Sequence, residues 1–347
     1  MAHVPVSLGF SVTSYLSKSF RFSISKFKNA TWTSLQRNYH QLQQKVEPLP
    51  RHSIEIRTMR EEDISQLMNL RRQLGIHDAT SSVQSWMAVD PEGIKVAVNE
   101  NGDIVGSCSY VKNHPELYFA GIYCVQKEYR NYNVGIQIFN AAKENAKDKN
   151  IAANSVLSMA KKYQQSGDFP IIDEDLTTVK NYFPDPIHSE MLFNKDLPAN
   201  IEIEPFQECL LPSIVQYDAS VVGHTRELIL RLSCHEEDSR TFAAFRNGVC
   251  IGFGSIKRSC LGAGRVGPLY AEDPVVAEAL LKKLIESYPN RNGLAISTPS
   301  SNIPNNAILQ KLGNAKTETC LRIYRKQKVN VNASKIYAYL DINFSAF

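Results

Sequence analysis

The sequence predicts an α/β protein, a mixed sheet of the α+β kind built in two halves of like plan. Three observations carry this. The 347 residues are enough for two hydrophobic cores. The order strand, two helices, three strands, helix, strand, helix reads twice, over 53–184 and over 201–328. Each half also places an Asn-Gly hairpin turn at the same point of that order, Asn101-Gly102 and Asn247-Gly248.

In the first half, Ser53 to Arg57 alternates as a strand. Arg60 to Leu74 has the helical spacing, with Ile64, Leu67, Met68 and Leu70 on one side and Gly75 as its stop. Ala79 to Met87 is a second short helix. Ile94–Val98 and Ile104–Val111 flank the first hairpin turn, and Leu117–Val125 follows as a third strand. A helix from Val134 to about Lys147, a short strand near Ile151 and a helix over Leu157–Gln165 complete the unit. Residues 185–200, with Pro184, Pro186 and Pro198 at or near their edges, read as a linker. The second half repeats the plan. Strands are expected at Ile201–Ile203, Thr241–Phe245, Val249–Ile256, Arg265–Tyr270, Ala295–Ser297 and Cys320–Tyr324. Helices are expected at Leu210–Val222, Arg226–Cys234, Pro274–Glu286 and Asn305–Leu312, and residues 329–347 form a C-terminal extension.

Charge separates the leader from the body. The net charge is +4, but residues 1–46 hold six basic residues and no acid, which leaves 33 basic and 35 acidic residues in the remainder. A body of that balance does not suit a nucleic-acid binder. The Ser-rich basic leader, 1–52, has the composition of an organelle transit peptide or of a disordered arm, and points to the mitochondrial matrix or else the cytoplasm. No apolar run approaches the ~20 residues of a spanning helix. The seven scattered cysteines, none in a C-x-x-C pair, fit reduced thiols in an intracellular compartment.

The turn between Val125 and the next helix is the chemical centre of the sequence. Strand, polar turn and helix start make an anion cradle, because the first amides of a helix lack internal partners and the helix dipole is positive there. The turn reads Arg130-x-x-Asn133-x-Gly135. It resembles the pyrophosphate loop of the GNAT acyltransferases, Arg/Gln-x-x-Gly-x-Gly/Ala, with Asn in place of the first glycine. Asn is the side chain most tolerant of a left-handed backbone. The second half resembles the C-terminal domain of tandem acetyltransferases of the YitH/HolE type and of certain nematode proteins. Its matching residues are Tyr217-Asp218 with Gly223 and Arg226, then Val266 to Ala271, then Asn305 to Gly313. There, Glu272-Asp273-Pro274 stands where the cradle would be, and two acids would repel a diphosphate.

The resemblance implies acetyl-CoA or another acyl-CoA as co-substrate, no metal, and a small-molecule amine as acceptor, attacked directly in a ternary complex. Cofactor contacts would come from Tyr123, Cys124 and Val125 on the strand and from Arg130, Asn131, Tyr132, Asn133, Val134, Gly135 and Ile136 at the turn. Many members carry Tyr-x-x-x-Gly-Phe after the next strand. Here Tyr163 stands four before Gly167, with Asp168 inserted before Phe169, and Tyr163 is the implied acid for the leaving thiolate. The second half has Leu309 at the matching place, and leucine donates no proton. Glu116, just before the strand, is a candidate general base. The alternative reading is a non-catalytic acyl-CoA-binding or interaction protein, favoured by Asn133, by Asn131 and by the stretched Tyr163 segment. His235-Glu236-Glu237-Asp238 reads as a solvated turn, since consecutive residues do not converge on one ion. Gly262-x-Gly264-x-x-Gly267 precedes its strand, the wrong context for a dinucleotide site.

Overall fold

The computed structural model describes residues 53–192, 197–288 and 292–347. The basic leader and part of the 185–200 segment lie outside them. The first half holds β1 (Glu55–Thr58), α1 (Ile64–Gln73), α2 (Thr80–Val89), β2 (Ile94–Val98), β3 (Ile104–His114), β4 (Leu117–Val125), α3 (Val134–Ala146), β5 (Asn150–Val156), α4 (Leu157–Ser166) and β6 (Ile171–Phe183). The second holds β7 (Ile201–Pro205), α5 (Leu211–Val222), α6 (Glu227–His235), β8 (Arg240–Arg246), β9 (Val249–Arg258), β10 (Gly264–Ala271), α7 (Pro274–Ser287), β11 (Leu294–Pro299), α8 (Ile303–Gln310), β12 (Lys316–Tyr324) and β13 (Ile336–Ala338). Among the described residues, no helix is long and apolar enough to cross a membrane.

One mixed sheet runs through both halves in the order β1-β2-β3-β4-β5-β12-β6-β11-β10-β9-β8-β7, with β13 beside β10. The halves exchange strands at its centre. β12, from the second half, lies antiparallel between β5 and β6, and β6, from the first, pairs with β11. The segments 53–184 and 201–328 are therefore recognisable in element order but not separable in space.

Alternation along the strands sends neighbouring residues to opposite faces. Val96, Val98 and Ile104 join a core shared by both halves, with Leu67, Trp86, Tyr217 and Leu230 from the helices α1, α2, α5 and α6. Ala97 and Val105 turn the other way, onto Val134, Ile138 and Ala142 of α3. The matching outer layer of the second half packs Val276, Leu280 and Leu284 of α7 under the sheet.

Two strands were not expected. β6 carries three acids within Ile171–Phe183 and lacks a clean alternation. β13 belongs to a segment read as an extension. It is followed by Tyr339, Leu340, Phe344, Ala346 and Phe347, all nearly inaccessible in the shared core. In the segment His235–Asp238, read as a solvated turn, His235, Glu237 and Asp238 are exposed and Glu236 departs from that reading. The Glu236 carboxylate is buried against Lys257 Nζ at 2.6 Å and accepts from the hydroxyls of Ser81 and Ser85.

Candidate functional site

β4 and β5 lie parallel and paired only from Leu117–Ala120 against Asn150–Ala153. Past that point they part. A bulge in β4 helps to turn it away, since Ile122 and Tyr123 together face the single residue Cys108 of β3. Ile122 holds a positive φ of 40°, and its carbonyl accepts from the Ser107 hydroxyl at 2.6 Å. A cavity of about 750 Å³ occupies the opening.

The start of α3 closes one end of that cavity. Asn131 and Asn133 both take the left-handed backbone, φ 71° and 61°, which wraps the turn into a concave nest. The first helical bond is made by Gln137 N–H to the Asn133 carbonyl, at 3.1 Å. Among the described residues, the amides of Asn131, Asn133, Val134, Gly135 and Ile136 have no protein acceptor, and no side chain caps the helix. Val134 is buried under the nest, Ile136 is exposed at its rim, and Tyr132 packs partly into the core beneath α3. Arg130 lines the cavity with its Nε on the Val125 carbonyl at 3.0 Å, so one edge of its guanidinium fixes it to the end of β4. A Cβ on Gly135 would stand 2.6 Å from the Tyr123 hydroxyl.

From there an aromatic row leads inward. Tyr123 meets the edge of Phe139, Phe139 stacks on Tyr163 at 6.2 Å, and Tyr163 meets Phe169 edge-on. Burial, with Tyr123, Cys108 and Asp168 nearby, pushes the Tyr163 phenol well above its ordinary range, so it keeps its proton at neutral pH. The inserted Asp168 points away, onto Lys143 and the Ser166 hydroxyl, and leaves Tyr163 in the cavity wall.

The opposite wall comes from α1 and its following loop (Arg71, Leu74, Ile76), from the exchanged strands (Lys180, Ile323) and from the tail (Ile342, Asn343). Arg71 Nε binds Asp78 at 2.5 Å, and the Asn343 amide bonds both, donating to Asp78 and accepting from Arg71. Burial opposes the charge on Arg71, but Asp78 more than offsets it. The Cys124 thiol is buried between this arginine and the Ser107 hydroxyl. A Cβ on Gly121 would overlap the Asn343 carbonyl, so this wall closes only against glycine.

Glu116 is not brought to this site. It sits at the other end of β4, exposed, with Lys149 Nζ at 2.7 Å. Of the remaining expected residues, Tyr123, Cys124, Val125, Arg130, Asn131, Asn133, Gly135, Ile136 and Tyr163 line this cavity, whereas the side chains of Tyr132 and Val134 turn into the core instead.

The corresponding place in the second half is filled. β10 and β11 pair over Gly264–Val266 and then part, as β4 and β5 do. Here β13 enters the opening, paired to β10, and Tyr339 N–H bonds the Ser297 carbonyl of β11 at 3.0 Å. At the start of α7 the Asp273 carboxylate accepts from the amides of Val275 and Val276, both at 3.0 Å. Pro274 offers no N–H at all.

Comparison with known proteins agrees with this doubled plan. Residues 214–338 match the profile of the acetyltransferase (GNAT) domain family. A tandem GNAT protein from the clavulanic acid biosynthesis pathway superposes with a TM-score of 0.55, at 13% identity, over 78% of this chain and 97% of its own. Residues 214–338 thus carry a GNAT domain, and the chain as a whole has the fold of a tandem GNAT protein. An acetyltransferase structure from Pyrococcus horikoshii superposes with a TM-score of 0.68, at 18% identity, over 86% of this chain and 98% of its own. Holothin acyltransferase of a Pseudoalteromonas strain is 23% identical over 78% of this chain and 85% of its own. The family profile falls on the half whose helix start is capped, and it takes in β13. The residues that sequence reading missed, Arg71, Lys180 and Asn343, reach the cavity from α1, an exchanged strand and the tail, and no local pattern marks them.

Proposed function

We propose that this tandem GNAT protein transfers an acetyl or other acyl group from CoA to an amine, using the first half alone for the cofactor. The observation that carries this is the contrast between two helix starts. At α3 the amides of Asn131 and of Asn133 to Ile136 are unspent beside an open strand gap, whereas at α7 Asp273 takes the amides and β13 fills the gap.

The nest amides and Arg130 would hold the diphosphate by charge-assisted bonds. The edge of β4 opened by the bulge would pair with the pantetheine amides as an added strand does. Acyl-CoA supplies the thioester. Backbone N–H groups near Tyr123–Val125 would receive the negative charge that develops on its oxygen. Tyr163, held protonated by burial, would give its proton to the leaving sulfur. No side-chain base is assigned, Glu116 being at the wrong end of β4, so the ammonium loses its proton to solvent before attack.

The rival reading, a non-catalytic acyl-CoA binder, shares the cradle and differs at Tyr163. The test is amine-dependent release of CoA thiol from acetyl-CoA by the wild type and by Tyr163→Phe. The transferase reading expects release that falls about 100-fold in the variant, with acetyl-CoA binding kept. Binding without release for any amine would favour the rival.

A further inference from the structure

The two ends of the cavity offer different free groups. All four charged residues among its described lining, Arg71, Arg130, Lys162 and Lys180, are cations. Arg130 belongs to the cradle end. At the far end most polar groups are already committed. Arg71 is neutralised by the buried Asp78. Asn154 accepts from Arg322 Nε and the Thr178 hydroxyl and donates to the Ile342 carbonyl. Asn343 is spent between Arg71 and Asp78, and the Ser155 hydroxyl bonds the Val156 carbonyl. Lys180 differs. It is half-buried, and its partner Glu318, at 3.0 Å, has a side chain 57% exposed. Such a surface pair contributes little and exchanges readily for a ligand.

Resting on the acyl-transfer reading, we infer that the acceptor is a small amine that carries a carboxylate, with Lys180 as the counter-ion of that carboxylate. A polyamine or basic peptide would bring a second ammonium into a described lining whose charged residues are all cations. In the transfer the amine nitrogen bonds the thioester carbon and the carbon–sulfur bond breaks with its electron pair on sulfur. Tyr163 protonates that sulfur and regains a proton from the nitrogen, leaving an amide and a free thiol. Lys180 takes no part in bond making; it positions the acceptor.

The test uses the full chain, saturating acetyl-CoA and thiol release, over sets of aliphatic and aromatic amines matched in length and ending in a carboxylate, a methyl or a second amine. The carboxylate members are expected to exceed the diamines in kcat/KM by roughly tenfold or more, the worth of one charge-assisted bond. Lys180→Gln should collapse the carboxylate-to-methyl ratio, and Lys180→Glu should turn the preference toward diamines. Acetyl-CoA titration of each variant reports whether its site is folded. A diamine preference in the wild type, or a carboxylate preference that survives Lys180→Gln, overturns the acceptor assignment and leaves the transferase reading standing. Absence of release with every amine, with acetyl-CoA still bound, overturns the transferase reading and the acceptor assignment with it.

Discussion

At the level of single residues, the cradle depends on backbone shape more than on side-chain charge. Asn133 replaces a glycine, yet it takes the left-handed conformation that the turn needs, at φ 61°. Asn131 does the same two residues earlier. The substitutions that looked like decay in the sequence therefore keep the geometry. Arg130, Asn133 and Gly135 were legible because six consecutive residues make the whole motif. Glu116 was misread because a general base is defined by tertiary position. It lies seven residues before Tyr123 on an extended strand, on the order of 20 Å away. Gly135 has a second role that no motif conveys, since it leaves room for the Tyr123 hydroxyl.

The elements that complete the site come from outside its own half. β12 enters beside β5, and the segment after β13 crosses to β4, where the Asn343 carbonyl rests on Gly121. The same segment rests on Gly267 of β10, through the carbonyls of Tyr339 and Leu340. Both glycines lie past the point where each parallel strand pair parts, so one tail is shaped to two like grooves. Gly121→Ala would force main chain against main chain, and a loss of about 2–4 kcal/mol in unfolding free energy is expected. Urea titration of the variant checks this, and a change within the error of the wild type would refute the close contact. The hairpins and helices of both halves were readable from local turn chemistry and spacing. β6 and β13 were not, because each is specified by partners far along the chain. The burial of β6 is irregular, and β13 spans only Ile336–Ala338.

The molecule as a whole folds around a core that both halves share, tied by buried polar pairs. Arg226 grips Asp218 through two bonds of 2.8 Å and also donates to the Ser345 hydroxyl and the Phe347 main-chain oxygen. This makes the pair a structural clamp on the tail. His224 lies beside His114, and His77 stacks on Tyr182. Burial holds both His224 and His77 below the ordinary value of 6.5, with Arg226 and His114 adding to the effect at His224. The unfolded chain therefore binds these protons first. Stability from them is complete above pH 6.5 and is lost as pH falls below it, before the carboxylates of Asp63 and Asp78, held below 3.8, begin to titrate. Urea midpoints are expected to drop between pH 7 and about 5.5, and His224→Asn should flatten part of that slope. A flat profile in the wild type would contradict it.

That the first half alone grips acyl-CoA is tested most directly by calorimetric titration of acetyl-CoA into the wild type and Gly135→Glu. One site per chain, abolished in the variant, is the predicted result. Two sites in the wild type, or equal binding by both proteins, would contradict it.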